Sequence, residues 1–122
     1  MAADQGEHPG RVARLWYLAT AAWTEEAARA VIAEDFERYT RARRPYNQVR
    51  AFATYWHGKA ACPTADWPGI PAQGGLDYIA GVWVALGSRG LDTRLSGRWT
   101  ANLLDGADFM RAAAATVAAC DP

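Results

Sequence analysis

Apolar residues recur at helical spacing from the beginning of the chain. A first stripe consists of Val12, Leu15, Trp16, Ala19, Ala22 and Trp23, and a second, out of phase with it, consists of Ala28, Val31, Ile32, Asp35, Phe36 and Tyr39. Thr24, followed by two glutamates, is typical of a helix start, because its hydroxyl can accept from free N–H groups there. The pattern predicts helices over about 9–23 and 25–43, separated at Thr24 and ended by Pro45.

The same periodicity continues in the rest of the chain. A third helix is predicted from about Asn47 to Ala61, with an apolar face made of Val49, Phe52, Ala53, Trp56 and Ala60. Thr93 or Asp92 can cap a short helix, which Gly106 separates from a last one. The last helix has an apolar face of Phe109, Ala113, Val117 and Cys120, and its alanine run permits close helix contact.

Between these halves the chain is rich in proline and glycine. Pro63, Pro68 and Pro71 each remove a backbone donor, which predicts a long loop at 62–75 that Trp67 anchors. Residues 76–87 fit a helix, although a hairpin at about 78–100, giving an α+β fold, is the alternative. The predicted fold is all-α: one domain over residues 1–122, a compact bundle of about five or six short helices. Residues 1–8 are expected to be a frayed tail.

The charge balance excludes several classes of partner. The 13 basic and 13 acidic residues cancel, so no global field attracts nucleic acid or an anionic membrane.

No apolar run approaches bilayer length, and the polar, acidic N-terminus lacks the pattern of a secretory leader. We therefore expect a cytoplasmic protein with Cys62 and Cys120 as reduced thiols; a disulfide between them is the alternative if the protein is exported. No metal or cofactor motif is present.

One histidine is a candidate catalytic residue. His57 could act as general acid or base, with Tyr55 as hydrogen-bond partner and Asp66 as the group that orients it. The competing interpretation is a structural, half-exposed histidine at a helix end, and no second histidine stands in the body of the chain to share catalysis. Cys62 is disfavoured as a nucleophile because it follows a predicted helix C-terminus, where the dipole opposes a thiolate.

Tryptophan and arginine supply the stronger functional signal. Six tryptophans are more than so small a domain usually buries, which places some at a cleft or interface. The candidate binding residues are Trp56, Trp67, Arg38, Arg41, Arg44 and Tyr46. Electrostatics at a helix end, with acid-first pairs from Glu34 and Glu37, also explains the arginine cluster. A helix-turn-helix does not fit the spacing of residues 79–99, so a nucleic-acid partner is disfavoured.

These observations favour a small soluble binding protein that docks a protein partner, or a second copy of itself, through an aromatic and arginine-rich surface. The alternative is a cofactor-free protein or enzyme that holds an aromatic small molecule in a tryptophan-lined pocket, closed by the 62–75 loop, with His57 as acid or base. The lack of a nucleophile with a plausible base favours binding over catalysis.

Overall fold

The computed structural model describes residues 8–60, 62 and 93–120, with side chains in the last stretch from residue 103 onward. These residues form three helices, α1 (Pro9–Ile32), α2 (Phe36–Ala60) and α3 (Thr93–Ala118). The all-α prediction is confirmed for this part of the chain, where no strand occurs. The short helices are not confirmed, because the five predicted segments within it join into three long helices. The hairpin alternative is wrong in its second arm, which α3 occupies; its first arm, the predicted helix at 76–87 and the loop from 63 to 75 lie outside the described residues.

The predicted break at Thr24 is wrong. The Thr24 hydroxyl is buried and donates to the carbonyl of Thr20 at 2.8 Å, so it bonds within its own helix instead of capping a new one. Helix α1 ends about two turns later, where Glu34 adopts a left-handed φ of 55°. There the carboxylate of Asp35 accepts the backbone N–H of Arg38 at 3.0 Å and begins α2.

The predicted helix end before Pro45 is also wrong, since α2 continues through this residue. Proline has no N–H to offer the carbonyl of Arg41, which costs about 3 kcal/mol in a helix interior. Burial on both sides of the proline offsets that cost: Tyr39 and Tyr46 are each 1% exposed, the first nearly two turns before the proline and the second directly after it.

Helix α1 is the middle helix, packed against both α2 and α3. Along one seam the buried positions recur every three or four residues, and all of them except Tyr17 are small or of moderate size: Gly10, Ala13, Tyr17, Thr20, Thr24, Ala27 and Val31. This spacing is that of a coiled-coil seam. The first apolar stripe predicted from the sequence lies beside this seam and not on it. Of its residues, Leu15 is 62% exposed, and Trp16 and Trp23 are half-buried. Small residues on the seam let the flanking helices approach closely.

Both flanking helices show the same spacing. In α2 the buried or half-buried positions are Tyr39, Ala42, Tyr46, Val49, Ala53, Trp56 and Ala60, and in α3 they are Leu103, Gly106, Met110, Ala113 and Val117. The predicted burial of Phe109, Ala113 and Val117 is confirmed. Three predicted apolar-face positions differ: Phe36 and Phe52 are each 47% exposed, and Cys120 is exposed as well. The predicted helix boundary at Gly106 is wrong, because this residue is buried in the interior of α3.

Two ion pairs fasten α1 to its neighbours. The guanidinium of Arg38, at the start of α2, binds the carboxylate of Glu26 with nitrogen–oxygen distances of 2.5 and 2.8 Å, in place of the predicted partner Glu34. Hydrogen bonding to Arg38 lowers the pKa of Glu26. On the other side Glu25 pairs with Arg111 of α3.

The contacts also fix the directions of the helices. Tyr17 in the first half of α1 meets His57 at the end of α2, so α1 and α2 are antiparallel. Glu25, later in α1, meets Arg111, whereas the last residues of α3 meet Cys62 beside His57. Helix α3 is therefore antiparallel to α1 as well, and α2 and α3 run in the same direction.

A disulfide joins Cys62 to Cys120, whose Cα atoms are 5.9 Å apart. The expectation of reduced thiols is thus corrected, and the alternative pairing is the observed one. The bond connects the C-terminal ends of α2 and α3, which have few contacts with each other and are both held by α1. Its two cysteines are 58 residues apart in sequence, so it closes a long loop.

We expect reduction of this disulfide to lower the free energy of unfolding by up to about 4 kcal/mol, the loop-closure entropy of a loop this long. Urea denaturation with and without reductant measures the difference, and the Cys62→Ser/Cys120→Ser variant serves as the control, because reductant should not change its stability. Equal stability of the oxidised and reduced wild-type protein would contradict the pairing.

Alkaline pH provides a second stability test, through buried tyrosines. Burial raises the pKa of Tyr46 from 10.0 to about 12, with Arg50 opposing the shift, and it raises the pKa values of Tyr17 and Tyr39 as well. A raised pKa in the folded state gives stability that is complete below the unfolded value and is lost as pH rises through the folded one. We expect a loss of about 2 kcal/mol from Tyr46 between pH 10 and pH 12. Urea denaturation across this range measures it; Tyr46→Phe should show a shallower loss than the wild type, and a flat profile would refute the prediction.

Candidate functional site

The solvent-exposed side of α2 presents a continuous row of residues. Seven side chains at steps of three or four residues form this row: Glu37, Arg41, Arg44, Gln48, Phe52, Tyr55 and Lys59. They lie opposite the buried positions of the same helix, and we refer to them together as the α2 outer face. Three cations against one anion give the face a net positive charge.

The first half of the α2 outer face is basic. Arg41 and Arg44 are exposed, and Arg41 lines an open surface cavity of about 340 Å³ together with Phe36, Glu37 and Thr40. Phe36 is 47% exposed and supplies the apolar part of this cavity. A guanidinium beside an exposed ring suits a carboxylate carried on a partly apolar surface.

The second half of the α2 outer face is aromatic. The ring of Phe52 lies on the ring of Trp16 from α1, with centroids 4.7 Å apart. The rings of Tyr55 and Trp56 meet edge to face at 5.4 Å, and the ammonium of Lys59 lies 5.5 Å from the centroid of Tyr55. Aromatic area this exposed, held in place by neighbouring rings, is typical of a contact surface.

The structure separates the predicted binding residues. Arg41 and Arg44 are on the α2 outer face, while Arg38 binds Glu26 at the edge of the α1–α2 contact. Trp56 is half-buried, and Tyr46 is 1% exposed in the core. Trp67 lies outside the described residues. Phe52, Tyr55 and Lys59 complete the face. Sequence reasoning missed them because it ended one helix before Pro45 and began another after it. In one continuous helix, their spacing from Arg41 and Arg44 would have placed all five residues on the same face.

His57 makes a hydrogen bond through each ring nitrogen. Its Nε2 lies 3.2 Å from the carbonyl oxygen of Cys62, which can only accept, so Nε2 carries a proton and donates it. In the neutral ring Nδ1 then accepts from the hydroxyl of Tyr17, 2.7 Å away. Burial raises the pKa of that tyrosine, which keeps its hydroxyl protonated. This arrangement ties α1 to the end of α2 and to the disulfide.

The two predicted assistants of His57 are placed differently. Tyr55 is 56% exposed on the α2 outer face, about half a helical turn away from His57 around α2. Asp66 lies outside the described residues. Tyr17, the hydrogen-bond partner that sequence reasoning missed, is 40 positions from His57, and no local pattern connects the two residues.

No three histidine, cysteine, aspartate or glutamate side chains among residues 8–60, 62 and 103–120 group as metal ligands do. No helix in the described part of the chain combines the length with the apolarity that crossing a bilayer requires. Comparison with protein-family models finds no matching family, and searches of curated proteins and of solved structures find no match.

We expect Tyr17→Phe to lower the free energy of unfolding by about 1 kcal/mol, because the Nδ1 of His57 then loses a buried donor. Tyr55→Phe is the matched control, since the same hydroxyl is removed from an exposed ring. Urea denaturation of both variants decides the question. Equal effects of the two substitutions would contradict the structural role of the Tyr17–His57 hydrogen bond.

Proposed function

We propose that this chain is a binding protein whose α2 outer face docks a protein partner or a second copy of the chain. The observation that carries the proposal is the continuity of arginine and aromatic side chains along one exposed helix face. Arginine and aromatic residues dominate binding hot spots, because they combine large apolar area with directed hydrogen bonds. The seven exposed residues lie along one side of α2 with no buried residue among them. A second helix can therefore pack along this side.

The composition of the α2 outer face indicates the chemistry of the partner. Arg41 and Arg44 favour acidic side chains, while Phe52 and Tyr55 favour apolar ones about two to three turns further along. The face is about 33 Å long from Glu37 to Lys59, at 1.5 Å per residue. A single helix face of this length buries less area than stable complexes do, so the proposed complex is of the weak, transient class.

The second candidate, a small-molecule protein with His57 as acid or base, has less support. The cavity beside Phe36 and Arg41 is at the start of α2, and His57 is in its last turn, about 30 Å further along. Both nitrogens of His57 already have hydrogen-bond partners, and proton transfer would require one of these bonds to open. The predicted catalytic role of His57, Tyr55 and Asp66 therefore stays a prediction, tested by turnover in His57→Ala.

The proposed cytoplasmic location has a direct consequence for the disulfide. A cytoplasm keeps most thiols reduced, whereas the structure pairs Cys62 with Cys120. Trapping of thiols in intact host cells, followed by mass spectrometry, distinguishes the two locations: reduced cysteines support the cytoplasm, and a preserved disulfide supports an oxidising compartment.

We expect Arg41→Glu/Arg44→Glu to abolish partner capture while leaving the melting temperature nearly unchanged, because both side chains are exposed and outside the core. Capture is measured by placing a photo-crosslinking residue at Gln48, in the middle of the α2 outer face, and irradiating host cells. Arg14→Glu provides the matched control, since it reverses one exposed charge on α1.

The discriminating result is a discrete crosslinked species that depends on the position of the probe. A probe at Ala22, exposed on α1, should give no such species. Equal crosslinking from the two positions, or undiminished crosslinking in the double arginine variant, would remove the proposed function.

A further inference from the structure

The outer side of α3 has the opposite chemistry to the α2 outer face. Its exposed or half-exposed residues along one side are Leu104, Asp105, Asp108, Ala112, Ala115 and Ala119. We refer to them as the α3 outer face. Leu104 and two aspartates begin this face and three alanines follow, so one half carries the carboxylates and the other half is made of small apolar side chains. Asp108 already pairs with Arg111 of the same helix at 2.8 Å, which leaves Asp105 as the second exposed carboxylate of the acidic half.

We propose that the partner of the α2 outer face is the α3 outer face of a second copy of this chain. The inference rests on the proposed docking function of α2 and names its occupant. Arg44 faces Asp105 in one half of the contact, and aromatic rings face alanines in the other, so large side chains meet small ones. The chain thus carries both halves of the interface, on two different helices that α1 holds.

The geometry of the fold aligns these halves. Helices α2 and α3 run in the same direction and are linked at their C-terminal ends through Cys62 and Cys120. Counted back from these cysteines, Arg44 lies about 27 Å along α2 and Asp105 about 22 Å along α3. The difference of about 5 Å is within the reach of an arginine side chain.

The aromatic half matches in the same register. Phe52 lies about 15 Å before Cys62, and Ala112 lies about 12 Å before Cys120. Tyr55 and Ala115 lie at about 10 Å and 8 Å from the same cysteines. A sideways displacement of one copy, without inversion, therefore brings every paired position to nearly the same height.

Such a contact is heterologous, because two different surfaces meet. Repeated without rotation, this contact adds copies to one another in open chains, whereas a rotation between copies that closes would give a ring. The small contact area makes each step weak, and the expected behaviour is an average mass that rises gradually with protein concentration.

Charge exchange between the two faces tests the proposal. We expect Arg44→Glu and Asp105→Arg each to weaken self-association at least about tenfold, because each variant opposes like charges. An equimolar mixture of the two variants should regain the association of the wild type. In the mixture the introduced glutamate of one variant faces the introduced arginine of the other, and the unchanged Arg44 and Asp105 face each other at the next contact.

Sedimentation velocity over a range of concentrations, with oxidised full-length protein at low salt, measures the wild type, both variants and their mixture. Arg14→Glu is the control that should associate like the wild type, because Arg14 is exposed on α1 outside both faces. Circular dichroism checks that every variant is folded.

The outcomes separate this inference from the proposed function. Wild-type protein that stays monomeric at all concentrations, or a mixture that does not regain association, overturns the pairing of α2 with α3. If a Gln48 probe still captures a different protein in host cells, the docking function stands without it. If that probe captures nothing either, both fail.

Discussion

Close packing of small residues on α1 is the constraint on which the rest of the structure depends. Alanine, glycine and threonine occupy most of its seam, and α2 and α3 each press against it. A tryptophan on the seam would hold the helices apart, so the indole side chains of Trp16 and Trp23 lie at its margins. Exposure of aromatic surface is therefore a consequence of how tightly the middle helix is packed.

The sequence predicts the class of fold because helical periodicity is a local property of the chain. It does not predict where the helices end, because Thr24 and Pro45 have two possible roles each. A threonine hydroxyl can cap a new helix or bond back to the preceding turn, and only its burial against a neighbour decides between them. A proline inside a helix is unfavourable by itself, yet buried tyrosines on both sides of it hold α2 together.

Sequence reasoning also predicted the wrong buried face for α1. The reason is again that packing against neighbouring helices, which the local sequence does not show, decides which residues are buried. Judged by hydrophobicity, Leu15 and Trp16 should be more buried than Ala13 and Thr20. In the structure Ala13 and Thr20 are the buried pair, because small side chains let the helices approach closely. The candidate surface was partly predictable because Arg41 and Arg44 stand out in composition. Contacts such as Tyr17 with His57, or Cys62 with Cys120, join residues 40 and 58 positions apart, and only the folded topology brings them together.

The net charge of zero does not show how the charges are distributed over the surface. The balance argues correctly against a global field, and it says nothing about two flanks of opposite sign. The exposed arginines of α2 and the exposed aspartates of α3 lie on two separate helices, each of which packs against α1. A neutral protein with separated charges has little long-range repulsion between its own copies, and short-range complementarity then determines whether they associate. Neutrality, which argues against nucleic acid as a partner, is for this reason compatible with the second copy that we propose.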